Sequence, residues 1–479
     1  MVFSSSIFLF AFLPLVLIGC ALLPSSLRNT FLLIASLFFY AWGEGVYVVV
    51  MIASILANYA FGFAVSPGRP ARSRKVAMAG AVVVNIGALI AFKYANFIVG
   101  NLNLLLQAAG LHPIQMNPVH LPIGISFFTF QALSYVIDVY RSDVAVQKNP
   151  ARMGLYIALF PQLIAGPIVR YIDVAAEIHQ RRVTVDGFVM GVRRFVIGLA
   201  KKMLIANTVA IPADEIFALD PSSITTSMAW LAIVCYALQI YFDFSGYSDM
   251  AIGLGRAFGF NFLENFNYPY ISRSLTEFWR RWHISLSTWF RDYLYIPLGG
   301  NRVSRVRTYV NLVIVFFLCG LWHGASWNFV AWGLFHGMFL VLERMIAWRR
   351  GGVIAAWLGH GYVLVAVLIS WVLFRSESLT YALGFLQRMA GCGVVGTPAA
   401  YTTAYLLTPD VLLALVAGVI GATPVAKVLY ARVCGRIAEL RTQTTMLALA
   451  EYTTLACVVF LCMLKLASGS HNPFIYFRF

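Results

Sequence analysis

Charged residues are scarce in this chain, and acidic residues are the scarcer kind. Only 11% of the 479 residues are charged, 60% are hydrophobic and the mean hydropathy is +0.79, whereas about a quarter of a soluble domain is charged. The 35 Lys and Arg outnumber the 19 Asp and Glu, for a net charge of +16. This composition excludes an ordinary soluble domain and indicates a polytopic membrane protein in contact with membrane lipid. Because no DNA- or RNA-binding motif accompanies the positive charge, no nucleic-acid partner is expected.

Several catalytic motifs are missing as well. The chain has no GxSxG, no GxxxxGK[ST] and no HExxH, which disfavours a membrane hydrolase, an ATP-driven pump and a zinc protease. None of the seven cysteines forms a CxxC pair, and most lie in apolar runs, so neither a disulfide nor a metal site is expected. No internal repeat is detected, which argues against a transporter, the rival from another functional class.

Apolar runs predict the order of the membrane spans. The runs are 7–23, 30–42, 46–65, 76–95, 121–140, 188–208, 226–243, 309–325, 327–347, 354–374, 379–391, 403–421 and 446–467. By the positive-inside rule, the basic loop 67–75 is predicted to be cytoplasmic and the acidic loop 212–222 to lie outside. Counting spans from these loops places the N-terminus and the C-terminal tail on the outer side.

Two irregular stretches interrupt this pattern. The run 153–169 is apolar but contains two prolines and a glycine, with basic residues near both ends, and is predicted to enter and leave the membrane on one side. From 243 to 307 the chain is aromatic, polar and Arg-rich, which predicts interfacial, half-buried helices on the cytoplasmic side. Asp243 and Asp249 are expected to hold this Arg-rich block.

His323 is the strongest candidate for chemistry. The nearest basic cluster before it ends at Arg307, and a helix from this region would place His323 roughly 20 Å further on, at 1.5 Å per residue, within a hydrocarbon core about 30 Å thick. An ionisable side chain at that depth is costly and is by default a functional candidate. The alternative interpretation is a core histidine that is hydrogen-bonded to a neighbouring helix.

The segment 276–292 is the second candidate. Its aromatic residues recur at helical spacing, so it is predicted to form one interfacial helix that carries His283. In the functional interpretation this helix is the wall of a cytoplasmic entrance for an anionic substrate, with arginines as phosphate contacts. In the plain interpretation it is a membrane anchor.

A series of short motifs carries a resemblance to a known family. In chain order they are LPIGISF at 121–127, YVIDVY at 135–140, FPQLIAGP at 160–167, WRRWHISLS at 279–287, PLGGNR at 297–302 and LWHGAS at 321–326. Over nearly the whole chain, the sequence resembles the membrane-bound O-acyltransferase family in its bacterial polysaccharide branch.

The resemblance implies a fold and a site. The expected fold is a single all-α domain over 1–479, in which a ring of tilted transmembrane helices surrounds a central tunnel, with interfacial and re-entrant helices. His323 matches the family's catalytic histidine, and His283 matches its second characteristic polar position. The side chains predicted to bind the donor or line the tunnel are Trp279, Arg280, Arg281, Trp282, Arg291, Asn301 and Trp322.

The resemblance also implies a reaction. Acetyl groups would pass from a cytoplasmic acyl thioester such as acetyl-CoA, a substrate rather than a bound cofactor, across the inner membrane to an exopolysaccharide of the alginate or cellulose type. The expected partners are a periplasmic SGNH-hydrolase-like acetyltransferase and the polysaccharide synthesis machinery. His323 would act as a general base or as a transient acyl carrier, and both roles stay open. D-alanyl transfer to teichoic acid is the alternative within the family.

Overall fold

All regular structure is helical in the part of the chain that the computed structural model describes, which is 1–164, 166–346, 352–392, 402–438 and 444–469. The α-helices are α1 Leu13–Leu22, α2 Ser25–Glu44, α3 Val48–Ala64, α4 Ala71–Leu89, α5 Ala95–Ala108, α6 Ile125–Arg141, α7 Pro150–Ala158, α8 Phe160–Leu163, α9 Tyr171–His179, α10 Val185–Ala200, α11 Asn207–Phe217, α12 Thr226–Ala257, α13 Leu275–Arg281, α14 Ile284–Phe290, α15 Arg305–His323, α16 Trp327–Met345, α17 Gly352–Arg375, α18 Leu379–Met389, α19 Thr403–Leu406, α20 Pro409–Gly421, α21 Val425–Ala438 and α22 Thr444–Ala467.

Within the described ranges, seven helical stretches are long and apolar enough to cross a membrane. They are Ser25–Ala64, Ala71–Ala108, Val185–Phe217, Thr226–Ala257, Arg305–His323, Ala355–Arg375 and Leu449–Ala467. The predicted spans 7–23 and 403–421 contain shorter apolar helices, Phe8–Leu22 and Pro409–Gly421. The prediction of an all-α, multi-pass membrane protein is therefore confirmed.

Three helices continue past the boundaries that hydropathy predicts. The span expected at 76–95 continues through a π-helical turn, Ile90–Tyr94, into α5 and ends at Ala108. Helix α11 continues through Pro212 to Phe217, so part of the predicted outer loop 212–222 is helical. Helix α12 ends at Ala257, not near residue 243 as predicted.

Charge pairing explains why α12 continues past Asp243. Lys202 and Asp243 form an ion pair of 2.6 Å whose side chains are only 3% and 2% exposed. Asp249 accepts hydrogen bonds from Arg194 and Lys201, at 2.7 and 2.6 Å. Opposite charges within hydrogen-bond distance offset the free-energy cost of burying each other. A helix can therefore carry such a pair without leaving the apolar interior. The ion pairs of these two acids are made with Arg194, Lys201 and Lys202, so their expected role in holding the Arg-rich block stays a prediction.

The chain forms two compact units. The first consists of Met1–Val192, Ala251–Leu263 and Gly324–Ser326, and the second of Arg193–Met250, Glu264–His323 and Trp327–Phe479. In the first unit, α6 is buried along most of its length and α7 and α8 are separated at Leu159 in fully buried surroundings. The break in the backbone at Leu159 is thus enclosed by protein, as non-helical backbone at membrane depth requires. The re-entrant course of 153–169 and the single domain over 1–479 stay predictions. The C-terminal tail from 471 to 479 lies outside the described residues.

The second unit holds both candidate histidines, and α15 and α16 form its closest helix pair. A Cβ at Gly320 would lie 2.3 Å from the carbonyl oxygen of Phe329, and a Cβ at Gly333 would lie 2.3 Å from that of Phe316. Glycine at both positions therefore allows the two backbones to touch. The contact places His323, the last residue of α15, against the first half of α16.

We expect the two loops that define the topology to face opposite sides of the membrane. A Gly68→Cys variant and a Ser222→Cys variant, each in a background without reactive native cysteines, should differ in labelling by an impermeant maleimide on intact cells. Position 222 should label and position 68 should label only after lysis, because the basic loop is predicted to be cytoplasmic. Equal labelling, or labelling of position 68 alone, would contradict this topology.

Candidate functional site

The segment 276–292 consists of two short helices, so the single-helix prediction is wrong. Helix α13 ends at Arg281, Trp282 is extended, and His283 has left-handed backbone angles, φ 45° and ψ 54°, before α14 begins. For a residue other than glycine this conformation costs roughly 1–2 kcal/mol. It is held by the segment at 265–267, where the carbonyl of Asn265 accepts from the Ile284 N–H and the N–H of Asn267 donates to the carbonyl of Arg281, both at 2.9 Å.

The side chain of Asn265 also orients the His283 imidazole. Its Oδ1 accepts from the backbone N–H of Ser285 at 3.2 Å and from the Ser285 hydroxyl at 2.9 Å, and lies 3.1 Å from His283 Nδ1. A backbone N–H can only donate, which identifies this Asn265 atom as the oxygen. An amide oxygen can only accept, so His283 Nδ1 carries the proton and Nε2 has the free lone pair.

His283 is therefore a buried imidazole whose Nε2 keeps its lone pair. The residue is 0% exposed, and Nε2 has no hydrogen-bond partner among the described residues. Burial lowers the pKa of His283 to about 3, because desolvation disfavours the imidazolium. His283 is therefore neutral at physiological pH.

His323 lies in an aromatic enclosure at the end of α15. It is 7% exposed, and its ring is 5.0 Å from Trp322, 5.0 Å from Trp332 and 5.2 Å from Phe374, in each case edge to face. The Trp322 indole is also 6.2 Å from the His283 ring. One tryptophan thus contacts both candidate imidazoles, which segments far apart in the sequence bring together.

A cavity of about 440 Å³ is lined by three of the predicted donor side chains and by residues of α15. Trp279, Arg280 and Arg291 are among its lining residues, and Cys319 lies in its wall on α15. Residues four apart share one face of a helix, so Cys319 and His323 point the same way. The cavity therefore combines two arginines with an apolar wall that includes Cys319, one helical turn before His323.

The structure places the other predicted donor residues outside this lining. Arg281 pairs with Glu277 at 3.0 Å and donates to the carbonyl of Asn267. Trp282 is buried among aromatic rings, 5.6 Å from Phe278 and 5.0 Å from Trp371. Asn301 is exposed and accepts from Tyr295 and Arg344.

Two positioning residues were not identified in the sequence. Asn265 is one, and no local pattern distinguishes it from any loop asparagine. The other is Glu343 on α16, whose buried carboxylate accepts from the backbone N–H groups of Leu275 and Thr276 at 2.5 and 3.0 Å, and from the Thr276 hydroxyl at 2.7 Å. A carboxylate at the N-terminus of a helix accepts hydrogen bonds from the free N–H groups there and interacts favourably with the helix dipole. Glu343 therefore holds α13 against α16.

The third buried histidine, His336, packs within the same aromatic cluster. It is 0% exposed, and its Nδ1 accepts from the Trp279 indole N–H at 3.3 Å. Its ring lies 5.0 Å from Trp332, which in turn contacts His323. Over the described part of the chain, no group of three His, Cys, Asp or Glu side chains could hold a metal ion.

Comparison with known proteins identifies the family of the chain. The family model "MBOAT, membrane-bound O-acyltransferase family" matches residues 108–375, which include both histidines. A probable alginate O-acetylase AlgI of Azotobacter vinelandii is 47% identical over 80% of this chain and 76% of its own length. Another of the same name, from Pseudomonas putida, is 41% identical over 100% of both chains. A peptidoglycan O-acetyltransferase of Helicobacter pylori is 36% identical over 82% of this chain and 80% of its own.

We expect Asn265→Ala to destabilise the protein by about 1–3 kcal/mol, because it leaves buried donors of His283 and Ser285 without an acceptor. The measurement is denaturant unfolding in detergent micelles. Asn261→Ala is the matched control, since Asn261 is exposed and its amide makes one 3.3 Å hydrogen bond to Glu177; its effect should stay within about 0.5 kcal/mol. Equal losses in the two variants would contradict the role of Asn265.

Proposed function

We propose that this chain, which belongs to the membrane-bound O-acyltransferase family and is an O-acyltransferase, transfers acetyl groups. The proposed transfer runs from a cytoplasmic thioester toward a polysaccharide outside the membrane. The observation that carries this proposal is the cavity of about 440 Å³, whose lining includes Arg280, Arg291 and Cys319, the residue one helical turn before His323. The membrane would be the bacterial inner membrane, with both termini on the periplasmic side.

The proposed donor is acetyl-CoA or another acyl thioester. Its phosphates carry charge that cannot enter an apolar channel, so a basic mouth has to hold them while the uncharged acyl end reaches inward. Arg280 provides that charge, together with Arg291, which also pairs with Asp292 at 2.6 Å. The apolar wall formed by Leu312, Phe316 and Cys319 accommodates the acyl end. The thioester is consumed as a substrate and is not a resident cofactor.

The proposed chemistry is acyl transfer to a hydroxyl group. An imidazole nitrogen of His323 accepts the acceptor's hydroxyl proton as the oxygen attacks the thioester carbonyl; the new ester forms, the C–S bond breaks, and the thiolate takes up a proton. In the second route a His323 nitrogen attacks the carbonyl, the C–S bond breaks and the thiolate leaves and takes up a proton. The acceptor hydroxyl then attacks the acetyl-imidazole, the C–N bond breaks, the ester forms and the hydroxyl proton passes to the released imidazole. We assign to His283, whose Nε2 has no hydrogen-bond partner among the described residues, the uptake or relay of the proton in either route.

The proposed final acceptor is an exopolysaccharide of the alginate or cellulose type. Relatives named as alginate O-acetylases are 41% and 47% identical, and one named as a peptidoglycan O-acetyltransferase is 36% identical, so each relative's name is that of an O-acetylating enzyme. A polymer chain is too bulky for a cavity of this size, so a periplasmic SGNH-hydrolase-like acetyltransferase and the polysaccharide synthesis machinery are the proposed partners.

We expect His323→Ala to lower polymer-bound acetate at least about a hundredfold, since loss of a general base or a nucleophile removes that much rate or more. Membrane abundance should stay near wild type, because His323 is the last residue of α15 and the helix does not need its side chain to form. The measurement is released acetate from purified polymer, with immunoblots of the membranes. Near-normal acetate in this variant would rule out a catalytic role for His323.

Arg280→Ala should raise the donor concentration needed for half-maximal rate by about tenfold, because a charge-assisted phosphate contact contributes about 1.5–3 kcal/mol. Arg281→Ala is the matched control: it removes the same charge one residue away, from a side chain that pairs with Glu277. The measurement is thioester cleavage by proteoliposomes at varied acetyl-CoA. If both variants shifted equally, general electrostatics rather than the cavity would explain donor use.

A further inference from the structure

A polar cleft in the first unit has no part in the proposed acyl transfer. Its volume is about 330 Å³, within the range of roughly 300–1,000 Å³ that small-molecule pockets occupy. The lining residues that matter here are Arg28, Asn29, Arg152, Glu177, His179 and Arg181. Three guanidinium groups and one carboxylate give the cleft a positive balance, so it is suited to an anion.

The three arginines are held by neutral partners. Arg28 donates through Nε to the carbonyl of Leu23 at 2.9 Å, and Arg152 donates to Nδ1 of His179 at 2.8 Å. Arg181 donates to the amide oxygen of Asn29 and stacks on the Phe260 ring, 4.8 Å from its centroid. Within the described residues, no carboxylate forms an ion pair with any of the three.

The one carboxylate in the lining does not neutralise this charge. Glu177 accepts a hydrogen bond from the amide of Asn261 at 3.3 Å. Burial, and in addition the nearby positive charge of Arg28, lowers the pKa of the Arg181 guanidinium, while arginine stays charged at any physiological pH. The cleft therefore holds like charges close together, an arrangement that an added anion stabilises.

The geometry favours a phosphate group over a single carboxylate. Guanidinium groups present planar forks of N–H donors that match phosphate oxygens, and a phosphate can be shared by more than one fork. The hydroxyl groups of Ser25, Ser26 and Thr30 also line the cleft and can donate to further oxygens.

The surroundings of the cleft fit a lipid. Leu27 lies between two lining residues and is 50% exposed, Leu22 just before the cleft is 80% exposed, and the lining residue Val183 is 47% exposed. Exposed apolar side chains beside a basic cleft match a molecule with an anionic head and an apolar tail. The positive-inside rule places Arg28, Arg152 and Arg181 on the cytoplasmic side, where anionic lipids attract basic segments.

We propose that this cleft binds the phosphate group of a phosphate ester, and that the ester is the headgroup of an anionic phospholipid. The same chemistry could be met by a soluble phosphate, so the two sources have to be tested side by side. The full-length protein in mild detergent would be titrated with phosphatidylglycerol and, separately, with inorganic phosphate, and bound molecules counted by native mass spectrometry.

The test uses Arg152→Gln and Arg181→Gln, with Arg72→Gln as the matched control. Arg72 is exposed and is not among the lining residues of the cleft, so the control removes the same charge elsewhere in the first unit. Each cleft variant should weaken phosphatidylglycerol binding by about tenfold, the effect of losing one charge-assisted hydrogen bond. Arg72→Gln should leave binding within about twofold, because exposed charges contribute little.

The alternative outcomes are distinct. If inorganic phosphate binds with the same dependence on Arg152 and Arg181 and phosphatidylglycerol does not, the phosphate site stands and the lipid assignment is overturned. If Arg72→Gln weakens binding as much as the cleft variants, or if no variant changes it, the site itself is overturned. Arg152→Lys keeps the charge and should retain part of the affinity. Should Arg152→Gln fail to fold, Arg28→Gln takes its place.

Discussion

Lipid hydrocarbon offers no partner for a polar group, so every hydrogen-bonding atom within the spans has to be satisfied by the protein itself. Asn58 on α3 and Asn85 on α4 do this by donating to each other's amide oxygens, at 3.1 and 2.8 Å. Lys202 and Asp243 do it as a buried ion pair of 2.6 Å. Each pair joins helices that are separate in sequence, and removal of one member would leave a buried polar atom or charge alone, at a cost of several kcal/mol for a charge.

The same constraint builds the candidate site. Asn265 has one amide oxygen, and the donors of Ser285 and His283 all converge on it. These hydrogen bonds together determine the orientation of the His283 ring and the position of its proton on Nδ1, and they support the left-handed backbone at this residue. On the other side, the carboxylate of Glu343 satisfies the first N–H groups of α13 and ties that helix to α16. These polar groups therefore hold the site in place, because any of them left without a hydrogen-bond partner in the apolar interior would cost free energy.

Aromatic packing completes the enclosure around the histidines. Trp322 contacts both His283 and His323, and Trp332 contacts both His323 and His336. Rigid rings exclude water from the imidazoles, while the close contact between Gly320 and Gly333 fixes where His323 lies relative to α16. The charged residues in the lining of the neighbouring cavity are Arg280 and Arg291.

The amino-acid sequence by itself determined the membrane class, most of the spans, the family and the two candidate histidines, because hydropathy and short motifs are local properties that survive without coordinates. It did not determine that α12 continues to Ala257 or that the segment 276–292 breaks at His283. Those features depend on partners distant in sequence: Lys202 compensates Asp243, and Asn265 holds His283. A local sum of hydrophobicity or a helical period contains no information about such pairing, so only the tertiary structure decided which arginines line the cavity and which nitrogen of His283 is free to accept a proton.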